Sequence, residues 1–154
     1  MHRRFIGVQN TVAALLTKSN LATSGGLNKL RVVLCSSMGT TAPNPSPKEG
    51  GSVLFWKLNA EAFIAASGVP FAIVKPCGLF STPGNKSLLV GHDDSLLTTT
   101  KPPIVSRENV ARVMKATVDY AGEPRLRFDL CSKPGEPPSD LQKLIREGAY
   151  PWQL

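Results

Sequence analysis

The stretch SVLFWKLNAEAFIAASGVPFAIVKPCG, Ser52 to Gly78, places an ammonium group in the middle of a segment otherwise built for burial. Lys57 follows Phe55 and Trp56 and precedes Glu61 by four residues. On a helical wheel Val53, Lys57, Ala60, Glu61 and Ile64 share one stripe, so Lys57 sits at the margin of the buried face rather than opposite it. Two readings compete. In the first, the lysine snorkels to water and pairs with Glu61, a contact worth roughly 0.2–0.5 kcal/mol and in the less favourable order. In the second, it faces the carboxyl ends of neighbouring strands, where ligands of such sheets bind, and could hold ribose hydroxyls or a phosphate.

Two other groups point to the same crevice. Ser36-Ser37-Met38-Gly39 leaves a buried apolar run, and the hydroxyls of Ser36 and Ser37 could meet a carbonyl or a cofactor ring. Pro76-Cys77-Gly78-Leu79 leaves a second such run, where Pro76 and Gly78 let backbone approach a flat ring closely. Ordinary turn chemistry accounts for either group taken alone.

These residues need strands and helices to position them. LRVVLCSS, PFAIVK and RLRFDLCS are continuous apolar runs with the character of strands buried on both faces. Helices are predicted from Ile6 to Leu16, with Gly25-Gly26 as a later stop, and from Ser52, as a cap, to about Ser67. A further helix runs from Ser106, again a cap with Glu108 in its first turn, to about Tyr120, and a short one from Asp140 to Glu147. MGTTAPNPSPKEGG and PCGLFSTPGNK read as loops, and SLLVGHDDSLLTT as a small hairpin around a polar turn. Helices alternating with buried strands define an α/β layer structure with a mostly parallel sheet, and 154 residues make it a single domain, residues 1–154.

Composition narrows the function classes. The hydrophobic fraction of 42% and the lack of an apolar run near 20 residues fit a soluble globular chain with no membrane span. The start, MHRRFIGVQNTVAALL, is interrupted by Gln9, Asn10 and Thr11, which argues against a secretory or organelle leader. The net charge of +7 comes from scattered residues with no aromatic-basic stripe, so a nucleic-acid partner is not expected. Cys35, Cys77 and Cys131 are far apart in apolar surroundings, which predicts buried thiols in a reducing compartment, cytoplasm or plastid stroma, rather than disulfides. His2 and His92 lack partners at ligand spacing, so no metal is expected.

Dinucleotide-binding sheets open with a strand, a Gly-rich turn and a helix. No strand precedes the first predicted helix here, and neither G-x-x-G-x-x-G nor G-x-G-x-x-G occurs. Three main strands would leave a hydrophobic edge exposed, an invitation to self-association through that edge.

In order, VVLCSSMG, FWKLNAEAFIAASGVPFAIVKPCGL, LLVGHDDSLL, SRENVARV and FDLCSKP resemble the atypical short-chain dehydrogenase/reductases, in particular the NmrA-like NAD(P)-binding proteins. The resemblance runs from about Ile6 to Leu144 and covers the C-terminal half of that fold. It implies a partial Rossmann-like, doubly wound sheet lacking the N-terminal Gly-rich βαβ half. It also implies an NADP or NAD cofactor with a small-molecule substrate. Lys57 then matches the lysine of the Tyr-x-x-x-Lys motif that contacts the nicotinamide ribose, while Val53 occupies the tyrosine position. Ser36 and Ser37 match the serines ending the fifth strand, and Pro76, Cys77, Gly78 and Leu79 match the loop packed against the nicotinamide. Ser106 and Arg107 match the start of the helix after the substrate-side loops. An apparently N-terminally truncated oxidoreductase is the leading expectation. With no proton-donating tyrosine and no pyrophosphate loop, a non-catalytic redox sensor or assembly factor is the alternative.

Overall fold

The computed structural model describes residues 2–18, 31–41 and 51–151. The predicted Gly25-Gly26 stop, residue 30 of the first apolar run and most of the Pro-rich loop lie outside the described residues.

The elements in chain order are α1 (His2–Lys18), β1 (Val32–Cys35), α2 (Gly51–Ala66), β2 (Phe71–Pro76), β3 (Gly78–Phe80), β4 (Ser87–Gly91), α3 (Leu96–Thr99), β5 (Ile104–Ser106), α4 (Arg107–Val118), β6 (Arg125–Lys133), α5 (Leu141–Gly148) and β7 (Tyr150–Pro151). β1, β2 and β6 form the parallel centre, in register Val32 with Phe71 and Phe71 with Arg125. β4 runs antiparallel along the far half of β6, and β7 pairs antiparallel with its first residues. β3 and β5 form a separate parallel pair.

Both faces of β2 and most of β6 are covered, whereas β1, expected to be buried on both faces, is the sheet's edge strand and is only half-buried. Every residue of β2 is buried. Its side chains alternate, so Phe71 and Ile73 pack with Val12 of α1 and Ile64 and Ala65 of α2. Ala72 and Val74 join the opposite cluster with Val110 and Val113 of α4 and Ile145 of α5. α4 begins as expected, with the Ser106 hydroxyl accepting from the Asn109 amide, and Asp140 caps α5 through the Lys143 amide. At the other end of α4, Arg31 donates to the carbonyls of Thr117 at 2.9 Å and Glu123 at 2.8 Å, which gives one of the scattered basic residues a capping task.

Several expectations change. The sheet has five strands rather than three main ones, because the first extended piece of the expected hairpin joins it as β4 and the two-residue β7 is too short to leave a signal. The expected hairpin is one strand, β4, followed by the short helix α3. Asp93 and Asp94 sit in the left-handed region at φ 56° and 61° and turn the chain into that helix. The expected loop after β2 contains β3, paired by long-range contact with β5. Ser52 lies inside α2 rather than capping it.

The cysteines also depart from expectation. Cys77 and Cys131 are disulfide-bonded, with Cα atoms 5.4 Å apart, and Cys35 is exposed. Sequence separation of 54 residues concealed the proximity that adjacent strand ends create. Among the described residues no helix is long and apolar enough to cross a membrane, and no group of three His, Cys, Asp or Glu could hold a metal ion.

Candidate functional site

The carboxyl ends of β1 and β2 lie side by side. The Ser36 amide donates to the Val74 carbonyl at 2.8 Å, and the Met38 amide to the Pro76 carbonyl at 3.1 Å. The structure therefore brings Ser36 and Ser37 next to Pro76, Cys77, Gly78 and Leu79. The Cys77 amide bonds the Leu130 carbonyl and the Gly78 amide bonds the Pro103 carbonyl, so this second turn is tied to both β6 and the start of β5. Leu79 and Phe80 are exposed beyond it.

Lys57 faces the same ends. Its ammonium donates to the Ser36 carbonyl at 2.7 Å and to the Cys35 carbonyl at 3.4 Å. It does so from the wall of a cavity of about 420 Å³ between α1, β1 and α2. Gly7, Val8 and Thr11 line one side, Leu34, Cys35 and Ser36 another, and Val53, Trp56, Lys57 and Ala60 the third. Val53 and Lys57 share this wall because they are one helical turn apart.

The pairing of Lys57 with Glu61 gives way to a different network. Glu61 is fully buried and accepts from Arg127 Nε at 2.9 Å, from Thr40 Oγ1 at 2.8 Å and, through a short contact, from Ser36 Oγ. The Ser36 hydroxyl is thus turned inward to a carboxylate, while Ser37 stays half-buried. Ser36 meets Lys57 through its carbonyl rather than offering its hydroxyl.

A second buried charge cluster lies beside the first. The Lys75 ammonium, fully buried, meets Asp94 Oδ1 at 2.6 Å, Thr41 Oγ1 at 2.8 Å and Asp129 Oδ1 at 3.4 Å. Asp94 Oδ2 also accepts from the Thr41 amide at 2.9 Å. Burial pushes the Asp94 carboxyl up, but the Lys75 hydrogen bond and charge, with the amides of Thr41 and Gly39, outweigh it and hold the group below its ordinary range. Asp129 goes the other way. Burial raises it, the Lys75 charge offsets only part of that, and the Asp94 charge adds to the rise. Both Asp129 oxygens are buried without a hydrogen bond among the described residues.

Sequence reasoning missed Glu61 as an anchor, together with Lys75, Asp94, Arg127 and Asp129. A signal existed. Arg127 and Asp129 stand two apart in an apolar strand, hence on one face, and Lys75 ends another such strand. Charges there are seldom tolerated unless paired.

The α4 start packs against the neighbouring loop. Arg107 donates to Ser81 Oγ at 3.0 Å, Glu108 accepts from the Gly84 amide at 2.8 Å, and Arg112 donates to the Gly84 carbonyl at 3.0 Å. A Cβ at Gly84 would lie 2.8 Å from Asn109 Oδ1, so the loop approaches the helix as closely as glycine allows.

Of the expected site residues, Ser36 and Lys57 line the cavity between α1, β1 and α2, while Ser37, Pro76, Cys77, Gly78 and Leu79 are not among the described residues that do. The chain belongs to the NAD(P)H-binding family, whose description matches residues 12–120. It is 32% identical over 141 residues to sanguinarine reductase of Eschscholzia californica, covering 88% of this chain and 51% of that protein. It is 35% identical over 123 residues to an uncharacterized chloroplastic protein of Arabidopsis thaliana, covering 76% of this chain and 38% of that one. A solved structure described as an NAD-dependent epimerase/dehydratase of Bacillus halodurans superposes with a TM-score of 0.61 at 21% identity, over 75% of this chain and 50% of that one. The fold is therefore Rossmann-like, and membership of the NAD(P)H-binding family agrees with the atypical short-chain dehydrogenase/reductase resemblance. The chain spans about half the length of sanguinarine reductase and less of the chloroplastic relative.

The residues present fit one end of a nicotinamide dinucleotide. The cavity is at the small end of the roughly 300–1,000 Å³ typical of ligand sites, enough for a ring and a sugar. Lys57, on the cavity wall, would be the cation there to hold sugar hydroxyls. The G-x-x-G-x-x-G or G-x-G-x-x-G loop that holds a pyrophosphate at a helix start does not occur in this sequence.

Proposed function

We propose that this chain is the nicotinamide-side half of an NAD(P)-dependent oxidoreductase of the atypical short-chain type. The observation carrying this reading is Lys57. Its ammonium is fixed by the Ser36 carbonyl on the wall of an apolar cavity, one turn from Val53, at the carboxyl end of β1. In this role Lys57 orients the ribose of the nicotinamide half, and Pro76, Cys77, Gly78 and Leu79 pack against the ring. Ser36 holds Lys57 through its carbonyl, and Ser37 lies on the substrate side. The bound nicotinamide supplies the hydride chemistry, and the protein supplies position and exclusion of water.

Proton supply follows from Val53, which has no dissociable proton. The Ser37 hydroxyl or a water held beside it must then protonate a reduced carbonyl. The same observation favours a second reading, a non-catalytic sensor or assembly factor that binds the nucleotide without turnover. The cofactor is NADP or NAD, which comparative binding decides, and a plastid location, as for the chloroplastic Arabidopsis relative, is part of the proposal that a localisation experiment decides.

Without a pyrophosphate loop in these residues, affinity should be weak, with Kd no tighter than about 0.1 mM, equivalent to roughly 5.5 kcal/mol. The test is an NMR titration of the chain with NADPH and with NADH. Amide shifts confined to Ser36, Ser37, Lys57 and Cys77 to Phe80, abolished by Lys57→Met, support the site. Shifts centred elsewhere, or micromolar affinity that Lys57→Met leaves intact, overturn it. Oxidation of NADPH by any carbonyl substrate, measured with the full-length protein, separates the catalytic from the sensor reading.

A further inference from the structure

The candidate site leaves one buried group of charges unused. Lys75, Asp94 and Asp129 lie beneath the turn that carries Ser36 and Ser37, and Glu61 and Arg127 lie beside them. Such groups cost several kcal/mol to desolvate and are retained only where their geometry is closely satisfied. Here that geometry converges on a single backbone segment, residues 36–41.

Four side chains grip that segment. Glu61 takes the hydroxyls of Ser36 and Thr40, and Arg127 Nη2 lies 3.5 Å from Thr40 Oγ1 and 3.4 Å from Thr41 Oγ1. Lys75 donates to Thr41 Oγ1, and Asp94 accepts from the Thr41 amide. Asp94 alone binds the backbone of the turn and the buried ammonium with the same carboxylate. It does so from a left-handed residue, φ 61°, preceded by another at φ 56°. A non-glycine pair in that region persists only where its surroundings over-determine it, and the two-pronged contact of Asp94 is that determinant.

The opposite end of the segment is the Ser36 carbonyl, which receives Lys57. The geometry points to Asp94 as a positioning residue: by clamping Thr41 to Lys75 it fixes the turn 36–41 and so the carbonyl that orients the Lys57 ammonium. The assignment to a nicotinamide site rests on the proposed function above, but the clamp itself does not. The charged groups around it are Lys75 from β2, Arg127 and Asp129 from β6, Glu61 from α2, and His92 and Asp93 from its own loop.

The test uses the whole chain and two readouts that need no cofactor. Amide hydrogen exchange is followed at Ser36, Met38 and Thr41, and the Lys57 side-chain signal is followed by NMR. In Asp94→Asn, exchange at Met38 and Thr41 should quicken at least tenfold more than at Ile73 in β2, and the Lys57 signal should shift. Asp94→Glu should restore part of both effects. In the unsubstituted protein the Thr41 amide shift should titrate with pH at the acid end, and this titration should vanish in Asp94→Asn. Should Asp94→Asn fail to fold, the Thr41 titration in the unsubstituted protein decides alone, and a flat profile overturns the clamp. Equal quickening across Ile73, Met38 and Thr41, or an unmoved Lys57 signal, also overturns it.

A cofactor titration then separates this inference from the site it serves. Loss of shifts in Lys57→Met but full retention in Asp94→Asn would overturn the positioning role and leave the site. Absence of binding in every form, with the loosened turn and shifted Lys57, would overturn the site and uphold the clamp.

Discussion

Arg127→Met isolates what the buried Glu61 ion pair contributes. Arg127 is 11% exposed and Glu61 fully buried, so solvent screens their 2.9 Å contact little. Removing one partner of a buried pair costs roughly 3–5 kcal/mol, because the other charge stays in the interior. Glu61 keeps the hydroxyls of Ser36 and Thr40 as donors, which places the loss at the lower end, about 3 kcal/mol. At this chain length that is roughly 6–12 °C in Tm. Urea unfolding at neutral pH measures it, with an unchanged m value showing that stability rather than compactness moved. The double variant Arg127→Met with Glu61→Leu removes both charges and leaves the Ser36 hydroxyl without its acceptor, while the Thr40 hydroxyl keeps the Ser37 carbonyl at 3.2 Å. It should unfold at higher urea than Arg127→Met, within about 2 kcal/mol of the starting protein. An Arg127→Met variant losing less than about 1 kcal/mol, or a double variant less stable than the single one, would refute the reasoning.

Other consequences follow from particular residues. Stability should fall as the pH drops below about 3.8, because Asp94 is lowered and its contribution is lost as it protonates; Asp94→Asn should flatten that limb of a urea midpoint profile. Asp129 has the opposite sign. A raised carboxyl favours the protonated folded form, so stability declines as the pH rises from about 3.8, and Asp129→Asn should remove that decline. Gly39→Ala should cost about 1–2 kcal/mol in urea unfolding, since its φ is 92° and an added Cβ would lie 3.1 Å from Leu54 Cδ1. Ile64→Ala, fully buried between α1, α2 and β2, should cost roughly 2–5 kcal/mol by the same assay, and a smaller loss would mean that the cluster collapses around the gap.

The sequence alone determined the layers of this protein. Continuous apolar runs dictate strands, and β1, β2 and β6 are those runs, with β2 and most of β6 covered on both faces while β1, at the sheet edge, is only half-buried. Ser106 and Asp140 marked helix starts because capping is local chemistry, readable within four residues. The motif-like stretches around Lys57, Ser36 and Cys77 also carried the kinship with NAD(P)H-binding proteins. Tertiary structure decided what local patterns cannot encode. β3 and β7 are too short to stand out and exist only because partners lie beside them. The Cys77–Cys131 bond depends on neighbouring strand ends, and sequence separation carries no trace of it. The Ser36 hydroxyl looked available until Glu61 was placed beneath it, and Lys75 looked like the end of a strand until Asp94 and Asp129 closed around it. Charges buried in a low-dielectric interior interact with whichever partners the fold delivers, and those partners come from five separate segments of this chain.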